Sequence, residues 1–439
     1  MPYNEMDTIA RGAFGIVYRV ANEEGTCFAK KVFAPLPGLA VTPEELKSRF
    51  LREVRYQSAL NHENVVRIFD SELAIDPPYF IMELAICSLK DQLSTGTLNP
   101  NEKLAIVLDV LAGLEHIHTA GYKHRDLKPQ NILVFEKLDG SEGYRYALSD
   151  FGMIAPPDQQ STTLTATGAM GGTLQYASPE AMKNFKQVTD RSDIYSMGAV
   201  LHDLFVGGTR VPCAKQTGPG LIGKVIEKCT ETNQSRRYEN VAALREAAVA
   251  ALTEGNNYAS NVEDDAVIEL LQLDKPSSED WDKIDMRLQD NEANGHSNGP
   301  ILSSIRSTHF QELGALDMGL FASIATFVLD EVFARIGGYD WDYCDVLASK
   351  ISSIYNNTTD VEIRGIAALA MLVLGTHHNR WYVERLFQKM AGLEMQNEVA
   401  VRLVQEAASR SIDMNRELLM WENSIGESRG NLHATLAKI

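Results

Sequence analysis

The chain is 439 residues long, 44% hydrophobic and 23% charged, the balance of an ordinary soluble globular protein with room for two or three cores. With 41 Lys+Arg against 59 Asp+Glu the net charge is −18, which argues against a nucleic-acid backbone or an anionic membrane as the main partner. The acidity is uneven: residues 254–300 hold 12 Asp+Glu against 3 Lys+Arg, and a solvated connector is the expectation there.

Five cysteines (Cys27, Cys87, Cys213, Cys229, Cys344) are scattered without a CxxC pair, so neither a disulfide framework nor a zinc site is suggested and a reducing, cytoplasmic location fits. The opening MPYNEMDTIARG has no signal-peptide core. The longest apolar runs, Leu320–Leu329 and Gly365–Leu374, fall well short of the roughly 20 residues a bilayer span needs.

From residue 5 to about 85 the pattern is mostly strands: IVYRV, CFAKKVF, VVRIFD and YFIMEL, punctuated by Gly, Pro and Asn. A helix over Glu44–Leu60, opened by Thr42-Pro43, interrupts them and places Leu46, Phe50, Val54 and Leu60 near helical spacing. Between the first strands, Ala10-Arg11-Gly12-Ala13-Phe14-Gly15-Ile16-Val17 reads as a turn whose glycines let backbone N–H groups approach phosphate, or as a plain hairpin. In Ala29-Lys30-Lys31 a lysine on a buried strand face would need a counter-charge, and Glu53 on the helix is the natural one; two solvent-facing charges are the alternative.

Beyond residue 100 helices take over, beginning with Lys103–His118 and its apolar Leu104, Val107, Leu108, Leu111, Leu114 and Ile117. The polar stretch KHRDLKPQN, Lys123 to Asn131, then runs straight into the apolar Ile132-Leu133-Val134-Phe135. A hairpin from there to Ala147-Leu148-Ser149-Asp150 brings its two ends together, so Asn131 and Asp150 are expected side by side. Two hard oxygen donors with phosphates completing the shell make a magnesium site. Asp126 then stands near enough to take a hydroxyl proton, and Lys128 can neutralise a transferring phosphoryl group. A loop of about 30 residues and further helices carry the chain to about residue 253.

In the acidic segment, Val262–Leu273 and Ser278–Asp290 read as short helices, with a capping box at Ser277 and Asp280, and the stretch from Asn294 to Pro300 reads as a boundary. Residues 301–439 are helical throughout. Helices beginning near Glu362 and Glu398 share a cadence that fits stacked HEAT or armadillo pairs as well as it fits a simple bundle. His377-His378 with Trp381 reads first as a polar helix start, metal binding being the alternative. Met390, Met395, Met414 and Met420, and Trp281, Trp341, Trp381 and Trp421, read as core.

Taken in order, Ala10–Val17, Ala29-Lys30-Lys31, Glu53, His124-Arg125-Asp126-Leu127-Lys128-Pro129-Gln130-Asn131, Asp150-Phe151-Gly152 and Ser178-Pro179-Glu180 resemble the signature set of the eukaryotic-type protein kinases. The resemblance covers roughly residues 5–253. It implies a bilobal kinase fold over 1–253, and with the acidic linker 254–300 and the all-α domain 301–439 read from their own patterns the whole is α+β. ATP would bind with Mg2+. By this resemblance Lys31 holds the α- and β-phosphates and pairs with Glu53, Asp126 is the base, Lys128 neighbours the γ-phosphate, and Asn131 and Asp150 hold the metal. Ala10, Gly12 and Gly15 belong to the phosphate loop; Met82 is the gatekeeper, Glu83 to Ala85 the hinge, and Val17, Ala29 and Leu133 sandwich the adenine. Glu180 pairs with Arg237, and Asp193 braces the catalytic loop. Lys128 two places after the base, with Gly172-Thr173 before Tyr176, resembles serine/threonine rather than tyrosine kinases.

The implied activity is phosphoryl transfer from ATP to protein Ser/Thr hydroxyls. Arg125 beside the base suggests a regulatory phosphate on the loop carrying Thr162, Thr163, Thr165 and Thr167, placed there by autophosphorylation; a Thr-rich loop without that role is the other reading. Ala10 in place of the first loop glycine departs from the pattern, as does Gln57, which stands where an apolar residue usually packs beneath Phe151 and would need a polar partner. The segment Gly207–Leu221 is short where relatives dock substrates. The alternatives are a pseudokinase or scaffold acting through its helical domain, and a small-molecule phosphotransferase. Residues 301–439 are expected to bind a protein or to contact the kinase domain.

Overall fold

The computed structural model describes residues 3–12, 15–37, 42–138, 140, 142–151, 173–184, 187–255 and 261–439. They form two compact units, 1–245 and 246–439. The first unit carries strands β1 (Asn4–Arg11), β2 (Gly15–Ala21) and β3 (Cys27–Phe33), helix α1 (Pro43–Gln57), then β4 (Ile68–Glu72), β5 (Tyr79–Met82) and β6 (Cys87–Ser88). Helices α2 (Leu89–Thr95) and α3 (Pro100–Thr119), strands β7 (Ile132–Glu136) and β8 (Tyr144–Leu148), and helices α4 (Pro179–Lys183), α5 (Asp190–Phe205) and α6 (Gly220–Cys229) follow; α7 (Val241–Thr253) crosses the division.

The N-terminal sheet is antiparallel in the order β1-β2-β3-β5-β4. Its inner face buries Ala29, Phe33, Phe80 and Met82 against Leu46, Phe50 and Val54 of α1. Those three residues recur every four positions, close enough to the 3.6-residue helical turn to aim them at one sheet. Phe50, 1% exposed, meets Phe33 and Phe80 with ring centroids 5.6 and 5.3 Å away, so Phe50→Ala would cost about 3–5 kcal/mol. Thr42 caps α1, accepting from Glu45 N–H at 3.2 Å, with Pro43 at the first helical position; this is the start that Thr42-Pro43 signals in the sequence.

Gly15 is required by packing. A Cβ there would stand 2.4 Å from the Val32 carbonyl oxygen of β3, whereas at Gly12 its nearest neighbour would be 3.9 Å away. Gly15→Ala is therefore expected to destabilise the sheet by about 1–3 kcal/mol and Gly12→Ala by well under half of that, a contrast read from denaturant midpoints.

The second unit comprises α8 (Val262–Leu270), α9 (Ser278–Ala293), α10 (Gly299–Ser304), α11 (Ser307–Leu316), α12 (Met318–Ala334), α13 (Trp341–Asn356), α14 (Val361–His378), α15 (Trp381–Ala391), α16 (Asn397–Ser409), α17 (Met414–Ile425) and α18 (Ala434–Ala437). Its centre is α14, which packs against α12, α13, α15, α16 and α17 and buries an unbroken run from Gly365 to Thr376. That enclosure explains an apolar stretch with no polar face. No helix among the described residues is long and apolar enough to cross a membrane.

Three expectations for this half are revised. The acidic segment is not simply a solvated connector: α9 buries Trp281, Ile284 and Leu288 completely, while its carboxylates occupy the outer face. Its predicted capping box is present, with Ser277 and Asp280 exchanging bonds of 2.9 and 3.2 Å. His377 and His378 end α14 rather than start a helix, because Asn379 turns left-handed (φ 49°) directly after them. His377 meets the Glu417 carboxylate at 3.2 Å and His378 the Leu374 carbonyl at 3.0 Å. Finally, Trp281 and Trp421 are core, but Trp341 is 53% exposed and Trp381 63%. Both open their helices, where a side chain can lie outside the packed faces, and Arg380 stacks on Trp341 at 3.4 Å.

Lys350 is fully buried on α13 and donates to the Leu302 and Ser303 carbonyls at 3.0 and 3.1 Å. Burial pulls its ammonium down to about 8, against the upward pull of Glu246 and Glu254 and with Arg306 adding to the fall. Because the unfolded chain then binds the extra proton between that value and the usual 10.5, stability should rise with pH over this window, by about 3 kcal/mol at most. The slope difference between wild type and Lys350→Met in denaturant titrations from pH 7.5 to 10 reads it out.

Candidate active site

Lys31 occupies the middle of β3, paired with Val17 on one side and Phe80 on the other. Its ammonium lies 2.6 and 2.9 Å from the two Glu53 oxygens and 3.7 Å from an Asp150 oxygen. The side chains are only 13% and 3% exposed, so this is a buried pair made in low dielectric. Burial opposes the charge on Lys31, but Glu53 and Asp150 outweigh it and raise the ammonium above its ordinary value. Burial pushes Glu53 up to about 7, with Asp150 adding to the rise and Lys31 working against it.

Opposite this pair, the polar stretch after α3 folds around one buried carboxylate. Asp193 of α5 is 0% exposed and accepts from His124 N–H at 2.9 Å, from Arg125 N–H at 2.8 Å and from the His118 ring at 2.8 Å. These bonds hold Arg125 in the left-handed region (φ 67°), a conformation costly for a side-chain-bearing residue unless its surroundings over-determine it. The turn that results aims Asp126 inward. Lys128 Nζ lies 2.7 Å from Asp126 Oδ2, and Asn131 Nδ2 donates to the Asp126 carbonyl at 2.8 Å and to Oδ2 at 3.1 Å.

The β7–β8 ladder pairs Ile132 with Leu148, and Ser149 N–H bonds the Asn131 carbonyl at 2.9 Å. Asn131 and Asp150 therefore flank the end of one hairpin, as the strand pattern predicts. Asp150 is also left-handed (φ 63°). Burial raises the Asp126 carboxyl above the ordinary aspartate value, helped by Asp150 and opposed by Lys128.

The residues expected to face the nucleotide come together as well. Ala29 and Met82 lie in one apolar cluster, with Val17, Ala85 and Leu133 packed against it. At the expected hinge, Glu83 N–H bonds the Arg67 carbonyl at 3.1 Å and Ile86 N–H bonds the Val134 carbonyl at 2.8 Å, with Glu83 C=O and Ala85 N–H between them in the chain. Ala10, exposed in β1, pairs with Val17 of β2, and Gly12 N–H bonds the Gly15 carbonyl at 2.9 Å. Ala13, Phe14 and Gly152, and the threonines at 162, 163, 165 and 167, lie outside the described residues.

Gln57 does find a partner: its amide donates to the Val66 carbonyl at 2.8 Å, although Oε1 accepts no bond among the described residues. Phe151 is 0% exposed and faces His124, ring centroids 5.2 Å apart. Glu180 and Arg237 form a bidentate pair at 2.6 and 2.8 Å. Arg145, Asp203 and Arg210 carry no signal in the sequence, and Tyr176 enters there only as a landmark after Gly172-Thr173. Tyr176 Oη donates to Asp203 at 2.6 Å, and Arg210 grips the same carboxylate at 2.9 and 3.1 Å while its side chain is 3% exposed. No motif announces Arg145, Asp203 or Arg210, and only the fold brings Asp203 and Arg210 to Tyr176.

A strand-rich sheet and a helical part enclosing a buried Lys–Glu pair, an aspartate and an asparagine define the class, and the protein kinase domain model matches residues 3–274. The chain belongs to that family. It is 33% identical over 223 residues to the serine/threonine-protein kinase PknB of Mycobacterium leprae, covering 45% of this chain and 35% of that protein. It is 36% identical over 182 residues to the probable serine/threonine-protein kinase SCO3848 of Streptomyces coelicolor, covering 39% and 26%. A third relative, the probable serine/threonine-protein kinase pknA2 of Bifidobacterium longum, is 30% identical over 229 residues, 52% and 29% of the two chains. The chain thus spans about a quarter to a third of the length of the curated relatives it matches.

Proposed function

We propose that this chain is a serine/threonine protein kinase that transfers the γ-phosphoryl group of ATP to hydroxyls of protein substrates. The observation that carries the reading is the convergence of Lys128 and Asn131 on one Asp126 oxygen, across from a Lys31–Glu53 pair already made. A carboxylate raised by burial is a stronger proton acceptor than a free one, which suits Asp126 to take the substrate hydroxyl proton. Lys128 stands where negative charge would develop, and Lys31, held by Glu53, would bind phosphate oxygens. Asn131 spends its amide nitrogen on Asp126, which turns Oδ1 away from that carboxylate.

The donor set fits magnesium. Asn131 Oδ1 and the Asp150 carboxylate are hard oxygens, and among the described residues no group of three or more His, Cys, Asp or Glu forms a metal cage. Magnesium is characteristically held by one or two protein oxygens together with substrate phosphates. When bound, it would supply neutralisation of phosphate charge.

Transfer of radiolabelled phosphate from ATP to casein, followed by phosphoamino-acid analysis, tests this reading. Label on serine or threonine is expected, reduced on the order of 10²–10⁴-fold by Asp126→Asn. Wild-type protein that is folded but transfers no label would favour a pseudokinase instead. Autophosphorylation of the loop carrying Thr162, Thr163, Thr165 and Thr167 belongs to the same proposal; phosphopeptide mass spectrometry after incubation with MgATP should find it modified.

We further infer that the helical unit serves as a protein-binding or regulatory module, a reading supported by its exposed Trp341, Trp381 and Tyr382, residue types that anchor interfaces. Trp341→Ala with Trp381→Ala should change activity or phosphoacceptor choice in the full chain. Unchanged kinetics and unchanged partners would discard the idea.

A further inference from the structure

Arg145 belongs to none of the motifs above, yet its guanidinium joins three segments around the nucleotide cleft. It lies on β8 opposite Phe135 and stacks over that ring at 4.5 Å. Nη2 donates to the Glu83 carboxylate in the hinge, and Nη1 to the Glu63 carbonyl in the loop that follows α1. The Arg145 side chain is 7% exposed and that of Glu83 24%.

The loop is itself strapped to β8. Asn64 Nδ2 donates to the Tyr146 carbonyl, Leu148 N–H to the Asn64 carbonyl, and Val66 N–H to the Leu148 carbonyl, each at 2.9 Å. The hinge has fewer restraints: a single-stranded connection, tied by the backbone bonds of Glu83 and Ile86. A buried guanidinium is costly unless its partners are charged and well aimed. Here the charged partner is the residue whose backbone carbonyl would meet adenine.

We propose that Arg145 is a positioning residue which clamps the Glu83 side chain to β8, so that the hinge presents its backbone groups in one place and nucleotide affinity depends on the clamp. The inference rests on the kinase reading. A neutral side chain at either end would let the connection sample other backbone conformations, and each binding event would have to restore the right one.

Calorimetric titration with MgAMP-PNP, together with the KM values for ATP and for casein, tests it on the full chain. Arg145→Met is expected to weaken nucleotide binding and raise the ATP KM by roughly 5- to 10-fold, with the casein KM unchanged; Arg145→Lys should recover part of the loss. Glu83→Gln should weaken binding less, and the double variant should bind no worse than Arg145→Met alone, since both act on one contact. A folded Arg145→Met with nucleotide affinity within about twofold of wild type, or losses that multiply in the double variant, overturns the clamp. Should Arg145→Met fail to fold, Glu83→Gln decides alone, unaltered affinity again being the overturning result. Wild-type protein that does not bind MgAMP-PNP would instead refute the kinase reading, whereas wild type and variants binding equally would refute only the clamp.

Discussion

Arg237→Met is expected to lower the unfolding free energy of the kinase unit by about 3–5 kcal/mol. Arg237 is 0% exposed and its fork meets both Glu180 oxygens, at 2.6 and 2.8 Å. It also donates to the Arg191 carbonyl at 2.9 Å and the Glu231 carbonyl at 2.7 Å. Methionine would fill much of the volume but leave a buried carboxylate and two carbonyls without their cation. Burial alone would raise Glu180, yet its bonds from Arg237 and Ser192 hold it below the ordinary glutamate value. A carboxylate lowered in the folded state contributes stability that is fully present above the unfolded value and lost as pH falls through the folded one. The gap between wild type and Arg237→Met should therefore be widest near neutrality and close in acid. Urea midpoints at pH 7 and pH 4 measure it; a gap under about 1 kcal/mol at pH 7 would show that the pair is no better than a surface contact.

Lys31→Met should all but abolish phosphoryl transfer, and its effect on stability should depend on pH. The substitution leaves Glu53, 2% exposed, beside Asp150 with its nearest cation gone. Breaking a buried pair costs about 3–5 kcal/mol when the survivor stays charged. Glu53 already stands near 7 through burial, so the variant can escape that cost by taking up a proton. A carboxyl raised in the folded state binds its proton more tightly there than in the unfolded chain, and stability falls as pH rises toward the folded value. Lys31→Met should thus be clearly more destabilised, relative to wild type, at pH 8 than at pH 6. Equal destabilisation at both would mean that Glu53 stays ionised without Lys31.

Much of the site is legible in the chain because its chemistry is carried by residue types that nothing else in a cleft replaces. A carboxylate, two further hard oxygen donors and a lysine needing a counter-charge leave few substitutes, and the juxtaposition of Asn131 and Asp150 follows from two apolar strands joined as a hairpin. Helix starts were equally readable: Thr42 and Ser277 each accept from the backbone N–H of the third helical residue, a local bond that needs no tertiary context. What periodicity does not reveal is which way an aromatic side chain faces once its helix is packed. Trp281 and Trp341 look alike in the chain, and one is enclosed while the other lies half open.

Sequence by itself determined the kinase class and the order of its strand-rich and helical parts, because local spacing and a set of motifs in fixed order carry that information. Tertiary structure alone decided that an acidic stretch would bury a tryptophan, that Gln57 would find the Val66 carbonyl, and that Arg145 would reach both Glu63 and Glu83. Those outcomes depend on contacts between residues far apart in the chain, and the strength of a buried charge or amide is set by whatever the fold happens to place beside it.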